Sequence, residues 1–197
     1  MKKKISDVRR GFTLVELVVT ISIFIIISTL VFANYPKFKS QLSLKKTSQE
    51  IAFAVREAQV YSLSVKEYNG TFPGYGVHFD ISKPDTIILF ADVNKNSKYD
   101  EFDEGDGIDG KVKEYKIRTS DSFSSLCGNE KSSPPGSCGL SKMDAVYLRP
   151  NPLITLKGWD NGGSLLPNFS DVEILISSPG GATKKIIIWV SGQITIE

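Results

Sequence analysis

The chain is poor in the residues that most enzymes use for chemistry. Its 197 residues include one histidine, His78, and two cysteines, Cys127 and Cys138. A zinc motif needs a second Cys or His pair, and none is present. Gly-rich phosphate loops and nucleophile elbows are missing too. His78 lies in VHFD, a strand-like stretch with no nucleophile in its pattern, and reads as a structural or exposed histidine rather than a general base. An excess of one charge is also lacking: 24 Lys and Arg stand against 22 Asp and Glu. Five of those cations and one Asp sit in the first eleven residues, MKKKISDVRRG, which leaves 19 against 21 beyond them. This balance makes no electrostatic case for direct nucleic-acid binding, and Lys184-Lys185 reads as a solvated strand face. The expectation is a protein without a catalytic site.

What the chain does have is a long apolar run. From Phe12 to Ala33 it reads FTLVELVVTISIFIIISTLVFA. As a helix this run measures roughly 33 Å, against a bilayer core of about 30 Å. It is too long for a secretory h-region, and no small-residue cleavage site follows it. The basic start favours the cytoplasmic side. One carboxylate, Glu16, interrupts the run near that side. An unpaired charge in lipid costs several kcal/mol, roughly, so Glu16 calls for a partner.

Gly11-Phe12-Thr13-Leu14-Val15-Glu16 resembles the class III signal of type IV prepilins and pseudopilins. The resemblance implies a membrane-embedded prepilin peptidase that cuts between Gly11 and Phe12 and N-methylates Phe12. It also implies filament assembly with other pilins or pseudopilins. The new amine of Phe12 and the carboxylate of Glu16 would then pair between neighbouring subunits, since two charges in a low-dielectric core are tolerable together where each alone is not. Many family members carry a proline 21 residues after the cleaved end; this chain has Ala33 there and Pro36 three residues on. A kink or break is expected near Pro36.

Beyond Pro36, KFKSQLSLKKTSQEIAFAVREAQVYSLSV reads as an amphipathic helix. Ile51, Ala54, Val55, Ala58, Tyr61 and Val65 share one face at steps of three and four, with Lys45, Lys46, Gln49, Arg56 and Glu57 mainly elsewhere. Asn69-Gly70 and Phe72-Pro73-Gly74 end the helix. GYGVHFD, DTIILFADV, KVKEYKIRT, AVYLRP, VEILISS, KKIIIWV and QITIE read as strands, and Pro179-Gly180-Gly181 and Ser191-Gly192-Gln193 as hairpin turns. The expected class is α+β, a long N-terminal helix packed on a mostly antiparallel sheet. The expected layout is a leader (1–11), a transmembrane and filament-core helix (12–35), an amphipathic helix (36–68) and a β-rich extracytoplasmic domain (69–197). FAVREAQVYSLS, ILFADVNKNSKYD, YLRPNP and IIIWVSGQITIE together resemble the GspH/FimT-type minor pseudopilin domain, although Arg56 comes one position later than in that pattern.

The segment from Asp92 to Asp103 has oxygen-bearing side chains at Asp92, Asn94, Asn96, Asp100 and Asp103, which are loop positions 1, 3, 5, 9 and 12. Lys98 could add its backbone carbonyl. Calcium takes six to eight oxygens, and this spacing resembles an EF-hand or dockerin-type loop. Ser97 stands where such loops carry glycine, and Asp103 is shorter than the usual glutamate. A polar turn without an ion fits the same residues. Asp103, Asp106 and Asp109 could mimic a carboxylate pair, but they lie in a Gly-rich turn. Trp159 and Trp189 read as packing residues. Cys127 and Cys138 bracket a Gly-, Ser- and Pro-rich loop; export implies an oxidising compartment and a disulfide, with two free thiols as the alternative.

Three functions fit this pattern. The chain could be a minor subunit of a type II secretion pseudopilus, or a minor pilin of a type IV pilus used in DNA uptake or adhesion. It could also be a membrane-anchored calcium-binding surface module. The expected location is the cytoplasmic (inner) membrane, single-pass, and then the pilus or pseudopilus.

Overall fold

The computed structural model describes residues 11–100, 109–133, 135–149 and 153–197. Its contacts divide the chain into two units, Met1–Lys39 and Ser40–Glu197. One helix, α1, is assigned from Leu14 to Leu63. A kink or break was expected near Pro36; there is no break, because the helix continues through that residue. Proline removes the N–H that would bond the carbonyl four residues earlier, but one lost bond does not by itself end a long helix.

In the first unit the helix side chains are almost all exposed, among them Leu14, Val18, Ile25, Leu30 and Phe38. The polar side chains here bond to their own helix. The Thr20, Ser22 and Thr29 hydroxyls donate to the carbonyls of Leu17, Val18 and Ile25, and the Asn34 amide donates to that of Leu30. Bonding of this kind lets a polar residue sit in an apolar solvent without an orphaned donor.

In the second unit α1 buries Leu44, Thr47, Ser48, Ile51, Ala54, Val55, Ala58 and Ser62. Val65, expected on this face, is exposed. Ser62 takes its place, donating a 2.7 Å hydrogen bond to the Tyr147 carbonyl. The helix ends earlier than the turn residues suggested. Val65 adopts a left-handed φ of 57°. The Lys66 N–H reaches back to the Tyr61 carbonyl at 3.1 Å, closing a Schellman-type end.

Among the described residues ten strands follow: β1 (Gly74–Asp80), β2 (Thr86–Asp92), β3 (Gly110–Lys116), β4 (Ser122–Gly128), β5 (Ser137–Cys138), β6 (Lys142–Tyr147), β7 (Ile154–Trp159), β8 (Asp171–Ser177), β9 (Thr183–Trp189) and β10 (Ile194–Ile196). They form two five-stranded sheets, β3-β2-β1-β6-β7 and β10-β9-β8-β4-β5. Every pairing between these strands is antiparallel. Six strands lie where the sequence places them; β6 overlaps the expected AVYLRP only at Ala145–Tyr147, starting three residues earlier, and β4, β5 and β7 were not foreseen. Both predicted hairpin turns are present, with Gly181 and Gly192 at φ of 76° and 86°. A turn that needs positive φ takes glycine at least cost.

A single core joins the helix to both sheets. Ile51, Ala54, Val55 and Ala58 of α1 belong to one buried cluster with Tyr75, Val77, Phe79, Ile87 and Leu89 of the first sheet and Leu126, Val172, Ile174, Ile186 and Ile188 of the second. The small Ala54 and Ala58 let the helix backbone come close to the strands. On the first sheet the alternation of β2 puts Ile87, Leu89 and Ala91 into this core. It sends Ile88 and Phe90 to the other face, where they cluster with Val146 and Tyr99. Tyr99 thereby lays the described segment after β2 over that second face.

Candidate functional site

Two regions carry the residues singled out above. The first is the start of α1. Gly11 lies outside the helix and is exposed, with no atom within 4 Å of where a Cβ would stand. Phe12 is 80% exposed. Neither residue is packed against the described part of the chain. Thr13 caps the helix: its hydroxyl oxygen accepts the Glu16 N–H at 3.2 Å, and its carbonyl accepts the Leu17 N–H at 3.2 Å. Thr13-Leu14-Val15-Glu16 thus has the spacing of a capping box, a local role for Thr13 that the membrane argument passed over. The Glu16 carboxylate is exposed and takes up no partner among the described residues. By length and composition α1 is long and apolar enough to cross a membrane, and none of its most apolar window is buried.

The second region is the loop after β2. Asp92 closes that strand and is fully buried. Its Oδ2 accepts the Ser97 N–H at 3.1 Å, while its Oδ1 has no hydrogen-bond partner. Lys95 and Ser97 both adopt left-handed φ, 61° and 58°. Ser97 therefore supplies the sharp turn for which glycine was the expected residue, at a steric cost. The Asn94 Oδ1 accepts the Asn96 N–H at 3.1 Å, and the Asn96 Oδ1 accepts the Lys98 N–H at 2.8 Å. The Asp100 Oδ2 accepts both amides, from Asn94 at 3.1 Å and from Asn96 at 2.5 Å. Lys98 thus meets the loop through its N–H. Asp103 and Asp106 lie outside the described residues.

Four residues that the loop spacing did not indicate meet it here. Asp109, 4% exposed, accepts the Val93 N–H on Oδ1 at 3.0 Å and the Asp100 N–H on Oδ2 at 3.2 Å. Burial, with the charges of Asp92 and Asp100 close by, pushes its carboxyl up to about 7. Burial likewise raises that of Asp92. Lys157 of β7 donates from Nζ to the Asn96 carbonyl at 2.6 Å, and burial, with Lys98 nearby, lowers its pKa. Asp144 of β6 accepts the Tyr99 N–H at 2.8 Å on Oδ2 and pairs through Oδ1 with His78 Nδ1 at 2.6 Å. The His78 ring lies 4.9 Å from that of Tyr99. His78 and Asp144 thus tie the loop to the sheet. The signal for Asp144 was a lone carboxylate in the apolar strand KMDAVY; nothing local marked Lys157.

Cys127 and Cys138 are joined in a disulfide across the paired strands β4 and β5. Donor atoms of Cys127, Glu130 and Cys138 lie within 4.8 Å of one another, but bridged sulfurs offer no thiolate to a metal. Trp159 and Trp189 are half-buried in β7 and β9.

Residues 7–32 match the family model described as the prokaryotic N-terminal methylation motif. No curated protein and no solved structure matches the chain. The motif supports a type IV pilin-like protein, a prepilin peptidase substrate that assembles with other pilin-type subunits, and it joins the apolar α1 in fitting a membrane-anchored chain. It covers the N-terminal segment and does not reach the β-rich unit.

Proposed function

We propose that this chain is a non-enzymatic minor subunit of a type II secretion pseudopilus. The peptidase cuts after Gly11 and methylates the amine of Phe12. The apolar half of α1, first held in the cytoplasmic membrane, then enters the filament core. The observation that carries the reading is the methylation motif at residues 7–32, set on an exposed Gly11–Phe12 peptide directly before a helix cap. The minor-subunit class rests on the GspH/FimT-like segments FAVREAQVYSLS and IIIWVSGQITIE. The same segments suit a minor pilin of a type IV pilus, in which case deletion abolishes piliation rather than secretion.

Glu16 is the assembly residue in this reading. Its side chain has no work to do within the described chain, and one helical turn separates it from the Phe12 amine. Mass spectrometry of the mature N-terminus tests the processing: a chain beginning at N-methyl-Phe12 supports it, and an intact Met1 sinks it in favour of a plainly anchored surface module. Glu16→Ala should still insert into membranes and lose filament cross-links; normal cross-linking would remove Glu16 from the assembly mechanism.

A further inference from the structure

The end of the second unit at which α1 enters is ringed by cations. There the Ser40 hydroxyl meets that of Ser178 in the β8–β9 turn, and Ser43 and Thr47 donate to Asp121 in the β3–β4 connection. The β1–β2 turn joins the same end: the N–H groups of Ile117 and Phe123 donate to the carbonyls of Asp85 and Pro84 at 2.8 and 2.9 Å. Around this rim stand Lys45, Lys46, Lys83, Lys116, Arg118 and Lys184, all exposed except half-buried Lys184. Lys46, Lys116 and Arg118 line one hollow beside the helix, and Lys45 and Lys184 line another. Nearby Asp80, Glu114 and Glu197 are paired with Lys142, Lys111 and Lys131, cations outside this group. Glu50, 3.9 Å from Lys46, exposed Asp85 and buried Asp121 remain, so six cations stand against three carboxylates.

We propose that this collar docks the second unit on an anionic lipid surface, before the chain enters a filament. The proposal rests on the reading that α1 holds the unassembled chain in a membrane. Seven residues separate Ala33, at the end of the apolar run, from Ser40. They span about 25 Å at the most, so the collar cannot leave the neighbourhood of the headgroups. So short a tether gives an effective concentration of about millimolar, and weak attractions then suffice. The sequence has no Asp or Glu between Glu16 and Glu50, while Lys37, Lys39, Lys45 and Lys46 fall in that interval. Each Lys or Arg near an anionic surface adds to the attraction, which fades within a Debye length. Long Lys and Arg stems reach the lipid phosphates, and the Arg118 guanidinium suits them with two parallel N–H donors. Because the cations are gathered at one end, a chain with no large excess of charge still presents one sign to a surface. Entry into a filament replaces the headgroups with neighbouring subunits, so the contact belongs to the chain before assembly.

The test places the full chain in nanodiscs of phosphatidylcholine, alone or mixed with phosphatidylglycerol, with a headgroup-nitroxide lipid as quencher. Thr183→Cys, exposed beside Lys184, carries a fluorophore, and Glu67→Cys, exposed just past α1, carries it as the control. Cys127 and Cys138 are bridged, so each variant has one thiol to label. Quenching of the Thr183→Cys label should be severalfold stronger with phosphatidylglycerol present. It should fall to the phosphatidylcholine level at about 1 M salt, where the Debye length is about 3 Å. Combining Lys46→Gln, Lys116→Gln, Arg118→Gln and Lys184→Gln should abolish the difference between the lipids, with circular dichroism matching wild type. The Glu67→Cys label should not respond to the lipid. A chain that stays out of both kinds of disc overturns the anchor reading and the proposal with it. A chain that enters both and shows equal quenching of the Thr183→Cys label overturns the proposal alone. Equal quenching together with lost filament cross-links in the combined variant would assign the collar to an acidic face of a neighbouring subunit instead.

Discussion

Asp121 fastens the second unit's helix to its sheets, and its removal gives the sharpest test of how that unit is held. The residue is 3% exposed in the β3–β4 connection. Its Oδ2 accepts three hydroxyls: Ser43 at 2.7 Å and Thr47 at 2.7 Å from α1, and Thr119 at 2.8 Å from its own connection. A hydrogen bond to a charged acceptor contributes about 1.5–3 kcal/mol. The three do not add. Thr47 and Thr119 lie 2.9 Å apart; each hydroxyl gives its single proton to Asp121, and once the carboxylate is gone one of them can donate to the other while half-buried Ser43 turns to water. The Oδ1 of Asp121 has no partner, so the carboxylate carries an uncompensated cost of its own. About one charge-assisted bond is left as the net loss, so Asp121→Ala should destabilise the protein by about 3 kcal/mol. For a unit of this size that lowers the thermal midpoint by about 6–12 °C. Asp121→Asn keeps one acceptor oxygen and should cost about a third as much. Urea unfolding in micelles, followed by the fluorescence of Trp159 and Trp189, reads both variants. An Asp121→Ala midpoint within error of wild type would refute the argument that this network carries the helix.

Three further outcomes follow from single contacts. Cys127→Ser opens a bridge that spans a sequence separation of 11, and in the chain-entropy model should lose about 3 kcal/mol; equal urea midpoints for the reduced and oxidised wild-type protein would contradict this. Gly128→Ala places a Cβ 2.5 Å from the ring of buried Phe169, and should cost about 1–3 kcal/mol in the same unfolding assay. Val65→Gly relieves a β-branched residue at positive φ, and should stabilise by about 1 kcal/mol, seen as a higher thermal midpoint.

Much of this architecture is visible in the residues, and the exceptions have physical causes. β2 and β9 are runs of Ile, Leu and Phe bounded by turn formers, and both appear where the pattern puts them. β4 reads SFSSLCG, with too many serines to look like a strand. Its register shifts between Phe123 and Ser125, which breaks the alternation while still burying Phe123 and Leu126. β5 is two residues long and exists through its pairing with β4, so no local pattern could announce it. β7 alternates buried and half-buried side chains, but its ITLKGW holds a lysine and a glycine that dilute the signal. The N-terminal motif was legible for the opposite reason: the residues from Gly11 to Glu16 that carry it are contiguous. In the β2–β3 loop, Asp92, Asn94, Asn96 and Asp100 showed themselves by spacing. Asp109, at the far end of the same connection, showed itself only as one acid of a Gly-rich turn, while Lys157 arrives through the pairing of β7 and sequence spacing cannot see it.

The order in which the sheets can close has a consequence for the life of the nascent chain. β1 has to wait for β6, with Phe79 opposite Met143, and β4 has to wait for β8, with Leu126 opposite Ile174. Neither sheet can be completed until most of the polypeptide has been made, and such non-local pairings close slowly, in about milliseconds to seconds. Cys127 and Cys138 need no such wait, since they belong to one short stretch. The apolar start of α1 leaves the ribosome long before the strand that finishes the second sheet. Between those two moments the cell has to look after a long, unpaired, β-rich polypeptide, and a bridge formed early would give its middle a fixed point around which β4 can later be enclosed.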